Sequence, residues 1–149
     1  MKKLFRHFFS TYNTQPEEFG NTSANKYVKS GLSLQEASEI KEKIKQAFER
    51  DKLYKSNAIG LNDLSLHIAK DRYKVSQVLN EYLAKNFYSL LNHYRIQEAK
   101  DLLVSQPFLS VKAVMYEVGF NSKTSFYSAF KKETGLCPND FRVLTSYAS

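Results

Sequence analysis

The sequence holds one cysteine, no tryptophan, three prolines and five glycines in 149 residues. A lone Cys137 excludes an intramolecular disulfide framework and any all-cysteine metal site, and it fits a reducing compartment. The three histidines are scattered and offer no zinc-ligand spacing, so no metal is expected. With so few glycines and prolines, and with segments full of Lys, Glu, Leu and Ala, helices are favoured over sheet. No run of about 18 apolar residues occurs, so no bilayer span and no membrane contact are expected within the chain. Met1 to Phe9 begins with Lys2, Lys3 and Arg6 but turns polar after Phe9, without the apolar stretch of an export signal, and a cytoplasmic location is expected. No glycine-rich phosphate loop, paired acid and base, or nucleophile motif stands out, so neither an enzyme nor a cofactor is expected.

What is present is positive charge. Lys plus Arg number 22 against 15 Asp plus Glu, giving a formal charge of +7. That balance favours a polyanionic partner, although an acidic-substrate binder or a membrane-surface protein would share it. Residues 10 to 31 are rich in Ser, Thr, Asn and Gly and lack a hydrophobic period, so 1–31 reads as a flexible basic and polar segment. Ser33 with Glu36 has the capping-box pattern, and Ala37, Ile40, Ile44, Ala47 and Phe48 recur at helical spacing up to about Tyr54. This linker helix, within 32–56, gains an i,i+4 pair from Glu39 and Lys43. Its narrow stripe must dock on something, and a homodimer through residues 33–54 is one expectation. Docking on the unit that follows is the other.

An internal repeat comes next. Ile59, Leu61, Leu64 and Ile68 recur 50 residues on as Leu109, Val111, Val114 and Val118. Val75, Leu79, Ala84 and Phe87 recur 51 residues on as Phe126, Phe130, Gly135 and Pro138, which places one extra residue in the second turn. Each copy is a short helix, a tight turn and a second helix. The spacing predicts Leu61 to Ile68 then Arg72 to Leu83, and Val111 to Val118 then Lys123 to Thr134. Between the copies, Tyr88 to about Ser105 reads as one continuous helix of about 27 Å, a strut between the units. The expected fold is all-α, with two helix-turn-helix subdomains joined by a long connecting helix and preceded by a linker helix. The bipartite domain is placed at 57–149, with the first unit at 57–87, the connecting helix at 88–106 and the second unit at 107–149.

Asp71 is the expected N-cap of the first long helix, leaving Arg72, Tyr73, Ser76, Gln77 and Asn80 outward. Asn121 or Ser122 caps the second, with Lys123, Thr124, Ser125, Tyr127, Ser128 and Lys131 near or on its exposed side. Both sets join hydrogen-bonding side chains to positive charge without a carboxylate. The major groove admits one helix and offers base-edge donors and acceptors to such side chains, and helix N-termini suit phosphate. Any surface helix is polar outward, but two such faces in one repeat favour nucleic acid. Cys137 before Pro138 reads as a stand-in for a capping Ser or Thr, His67 and His93 as surface or interface histidines, and Phe48, Phe87, Phe126 and Phe130 as core.

Residues 109 to 142, LSVKAVMYEVGFNSKTSFYSAFKKETGLCPNDFR, resemble the signature half of the AraC/XylS family of bacterial transcription regulators. The segment from Leu61 to Leu103 resembles its first half. The pattern G-F-x-S-x-x-x-F-x-x-x-F-K-K-x-x-G-x-x-P-x-x-[FY]-R is matched at Gly119, Phe120, Ser122, Phe126, Phe130, Lys131, Lys132, Gly135, Pro138, Phe141 and Arg142. The approach, residues 26 to 54, resembles relatives with a separate or membrane-embedded sensor. The resemblance implies a sequence-specific regulator that binds double-stranded DNA with two recognition helices in adjacent major-groove segments, with RNA polymerase as a further candidate partner. It departs from the family pattern at Ser128, where Arg is frequent, at Met115, in place of a small residue, at Ala84, in place of a helix-ending Gly, and at Lys70, in place of an apolar turn residue. The competing expectation is a protein-interaction or signalling module built from degenerate helix-turn-helix units.

Overall fold

The computed structural model describes residues 31–148. Apart from Gly31, the flexible basic segment expected over 1–31 lies outside the described residues. Every regular element among the described residues is helical.

The first helix, α1, runs Leu34–Glu49. The Ser33 hydroxyl accepts from the Glu36 N–H at 3.1 Å, half of the expected capping box. The helix ends five residues before Tyr54, where the apolar period had placed its end. The Arg50 and Asp51 N–H groups both turn onto the Gln46 carbonyl, and Lys52 adopts φ +49°. That left-handed residue breaks the helix, and a single 3-10 turn, Leu53–Lys55, follows. Tyr54 kept the helical period by coincidence.

The chain forms two compact units that are not consecutive stretches. Unit 1 takes the described residues up to Lys52 together with Gly60–Phe87. It holds α1, α2 (Leu61–His67) and α3 (Arg72–Gln77), which continues as a π-helical turn, Val78–Tyr82. Ala37, Ile40, Ile44, Ala47 and Phe48 of α1 are buried, as are Leu64, Ile68, Val75, Val78, Leu79 and Leu83. Helix α1 packs on α2 and on the π-helical turn. The stripe that suggested a partner copy is therefore covered within its own unit, and docking on the first helix-turn-helix accounts for it.

Unit 2 takes Leu53–Ile59 and the chain from Tyr88 onward. Its helices are α4 (Phe87–Ser105), α5 (Val111–Glu117), α6 (Lys123–Thr134) and α7 (Pro138–Tyr147). The connecting helix α4 is continuous. Its buried residues Leu90, Leu91, Tyr94, Arg95, Ile96, Ala99 and Leu103 lie on several sides of the axis, the pattern of an enclosed helix. Ile96, Ala99 and Leu103 pack with Val114, Met115, Val118, Phe120, Phe126, Ala129 and Phe130. Met115 enters this core, where its flexible thioether fills the helix crossing. Cys137 caps α7, its sulfur accepting from the Asp140 N–H at 3.4 Å.

The repeat is written in the backbone hydrogen bonds. The Ile68, Ala69 and Lys70 N–H groups bond to the Leu64, Leu66 and Ser65 carbonyls. Fifty residues on, Val118, Gly119 and Phe120 bond to Val114, Tyr116 and Met115 in the same order. Ala69 and Gly119 both have positive φ, +54° and +104°, as do Ala84 and Gly135, +50° and +78°. The copies part company afterwards: α6 stays α-helical to Thr134, whereas α3 widens into the π turn, where the Leu83 N–H reaches the Val78 carbonyl.

Candidate nucleic-acid interface

In unit 1 the Asp71 carboxylate accepts from the Tyr73 and Lys74 N–H groups and fixes the start of α3. Arg72, Tyr73 and Asn80 are exposed, Tyr73 by 65%, while Ser76 and Gln77 are half-buried. The expected outward set thus shares one face. The set itself contains no carboxylate, but a neighbouring one reaches it: Gln77 Nε2 donates to Glu81 Oε2 at 2.8 Å, and Asn80 Nδ2 donates to Ser76 Oγ at 3.4 Å. A Gln side chain that bonds a carboxylate must turn its NH2 toward it, so part of its base-reading capacity is engaged before DNA arrives.

Two lysines beside this face are also engaged. Lys74 Nζ lies 2.9 Å from both carboxylate oxygens of Glu36, on α1. Lys70 Nζ lies 3.0 Å from Glu39 Oε1, and Lys43 Nζ lies 3.5 Å from the same oxygen. The Lys70 ammonium holds the Glu39 carboxyl below the usual carboxylate range. Lys70, which stands in place of an apolar turn residue, is ion-paired with Glu39. Glu36, expected to close a capping box, spends its carboxylate on Lys74. Helix packing brings Glu36 to Lys74 across 38 residues and Glu39 to Lys70 from a similarly distant stretch of chain, and no local spacing in the sequence announces either pair.

In unit 2 the Ser122 hydroxyl caps α6 by accepting from the Ser125 N–H. Lys123, Thr124, Ser125, Ser128 and Lys131 are exposed. Tyr127 is half-buried and meets Phe126 edge-on, so part of its ring belongs to the core. Lys123 Nζ stands 5.2 Å from the centre of the Tyr127 ring. Among the described residues, no carboxylate pairs with Lys123 or Lys131. The α3 face, by contrast, has Glu81 bonded to Gln77. His93 Nδ1 and Glu133 pair at 3.3 Å, while His67 Nε2 pairs with Asp51 at 2.9 Å in unit 1.

A cluster the sequence reading missed stabilises the turn before α6. Arg95 is 7% exposed; its Nε donates to the Tyr54 carbonyl and its Nη2 to the Ser56 carbonyl, both at 2.8 Å. The guanidinium also stands 5.2 Å from the centre of the Phe120 ring. Burial pulls its proton affinity down to about 10, still far above neutrality, so the charge persists and main-chain carbonyls solvate it. Tyr54 stacks on Tyr94, and burial, then Glu98, push its phenol up. Lys55 pairs with Glu98 and Glu117. The one available sequence signal was a charged residue inside the apolar run around Tyr94 and Ile96.

Two helix-turn-helix units, each presenting a capped helix with polar and basic residues outward, define a DNA-binding protein of the double helix-turn-helix class. The family model described as a helix-turn-helix domain matches residues 64–143. The chain is 30% identical over 128 residues to an uncharacterised helix-turn-helix-type transcriptional regulator of Pseudoalteromonas carrageenovora, covering 76% of this chain and 74% of that one. It is 31% identical over 77 residues to the xylose operon regulatory protein of Haemophilus influenzae, covering 52% of this chain but 20% of that protein. It therefore spans only a fifth of that relative. Among solved structures it resembles the C-terminal domain of AraT, a response regulator from Geobacillus stearothermophilus, with TM-score 0.62 and 23% identity over 76% of this chain and 88% of that one. The C-terminal domain of the two-component response regulator yesN from Fusobacterium nucleatum gives TM-score 0.60 and 24% identity over 68% and 96%. These structural likenesses carry the fold. The chain belongs to the AraC-type family of helix-turn-helix proteins and is a DNA-binding transcription regulator.

Proposed function

We propose that the protein reads double-stranded DNA in a sequence-specific way, laying α3 and α6 in the major groove. Arg72, Tyr73, Ser76, Gln77 and Asn80 contact DNA from the first unit, and Lys123, Thr124, Ser125, Tyr127, Ser128 and Lys131 from the second. The observation that carries this reading is the exposed N-terminal half of α6, with cationic and hydroxyl side chains and, among the described residues, no carboxylate partner for Lys123. Phosphate contacts supply affinity and base-edge contacts supply choice. With Ser128 where the family often has Arg, a bidentate guanine contact worth about 1–3 kcal/mol of discrimination is missing from that position.

The reading places the protein in the cytoplasm, without catalytic activity, and carries RNA polymerase as a further partner. The DNA-binding part is 57–149, with α1 attached. A homodimer through residues 33–54 would have to use the outer face of α1, because the apolar stripe lies inside unit 1. A monomer is the expected state.

Titration with a selected site and with random duplex tests the reading. Lys123→Ala and Gln77→Ala should weaken the selected site more than the random one, and equal losses on both would overturn base reading by these residues. Failure to bind any duplex at low salt would favour the interaction module.

A further inference from the structure

Building on the DNA-binding reading above, we infer that α1 is a fixed electrostatic brake on the first helix-turn-helix: Glu36 and Glu39 hold Lys74 and Lys70 away from DNA phosphate. Lys74 is the third residue of α3, one helical step beyond Tyr73 and next to Gln77 around the axis, at the edge of the outward face. Lys70 sits in the turn that leads into α3. At these places a flexible ammonium would ordinarily meet the phosphates that border a groove-bound helix. Here both oxygens of Glu36 lie 2.9 Å from Lys74 Nζ, and Glu39 lies 3.0 Å from Lys70 Nζ. The lysine side chains are only 25% and 18% exposed. The bidentate Lys74–Glu36 pair, with Glu36 26% exposed, resists solvent and salt better than a surface pair, whereas Glu39, 51% exposed, holds Lys70 less firmly.

The helix carrying the carboxylates is anchored. Ala37, Ile40, Ile44, Ala47 and Phe48 bury the adjoining face of α1 within unit 1, so the carboxylates do not leave with their helix. DNA has to compete with Glu36 and Glu39 for each lysine, and the result is lower affinity with a shallower salt dependence than the lysine count implies.

The test measures duplex affinity of the full chain against salt for Glu36→Gln, for Glu42→Gln and for Glu36→Gln with Lys74→Ala. Glu42 is exposed on the same helix, so its change adds the same charge without releasing a lysine. Glu36→Gln should raise affinity about threefold to tenfold near 50 mM salt and steepen the log–log salt slope by about 0.9, one added phosphate contact. Glu42→Gln should stay within about twofold of the parent. Adding Lys74→Ala to Glu36→Gln should erase the gain, with thermal melting by circular dichroism confirming a folded chain. Should Glu36→Gln gain no more than Glu42→Gln while the parent binds duplex, the brake is refuted and the DNA-binding reading stands. Absence of duplex binding in every variant, parent included, overturns both.

Discussion

At the scale of single residues, the duplication supplies an internal control, because matched turn positions carry different side chains. Gly119 has φ +104°, and a Cβ there would lie 2.5 Å from the Tyr54 carbonyl oxygen and 2.9 Å from Arg95 Nε. Gly135 has φ +78° with nothing within 4 Å of its Cβ position. Gly119→Ala should therefore cost about 3 kcal/mol or more, since main chain must move, whereas Gly135→Ala should cost about 1 kcal/mol of backbone strain. The partner positions, Ala84 and Ala69, already bear that strain at φ +50° and +54°. Ala84→Gly should stabilise by about 0.5–1 kcal/mol, read by thermal melting. Asp51 gives a pH prediction. The Arg50 guanidinium, then the His67 ring, hydrogen-bond its carboxylate and lower it to about 2. The folded state thus binds this proton less readily than the unfolded chain, and the stabilisation is present above about pH 4 and lost as pH falls toward 2. Asp51→Asn should melt lower than the parent at pH 5 to 7, with the two curves meeting near pH 2.

At the scale of elements, the legible parts of the sequence were those where local chemistry and period agree. Ser33, Asp71 and Cys137 cap the helices they were expected to cap, Ser122 rather than Asn121 caps α6, and the two helix-turn-helix pairs begin and end within a residue of the repeat's forecast once the π turn is counted as the continuation of α3. The end of α1 escaped because Tyr54 continues the apolar period beyond the break at Lys52, and periodicity does not register a left-handed residue without glycine. The π turn of Val78–Tyr82 escaped because its side chains are as compatible with an α-helix. The carboxylates beside α3 escaped because Glu36 and Lys74 stand 38 positions apart. Periodicity gave the stripe of α1 but not its cover. With Ile44 fully enclosed in unit 1, Ile44→Ala should cost about 2–5 kcal/mol in urea unfolding, and sedimentation of the parent should show a monomer.

At the scale of the molecule, neither unit is closed by one stretch of chain. Leu53–Ile59 belongs with unit 2, although unit 1 flanks it on both sides in sequence. Within that crossing segment, Tyr54 covers Tyr94, and the Tyr54 and Ser56 carbonyls solvate the Arg95 charge. A fragment of residues 88–149 should therefore be much less stable than unit 2 in the full chain, because an interior cation would lose its acceptors. Chemical denaturation of that fragment, beside one restored by a synthetic peptide of residues 53–59, measures the difference.

The same crossing sets a rule for recombining this protein with its relatives. A chimera joined at a single breakpoint near residue 88 inherits a foreign clasp for its second half, and one joined near residue 53 imports a foreign first half along with it. Functional hybrids should need the short clasp and the C-terminal stretch to be exchanged together, as two separated inserts from one parent.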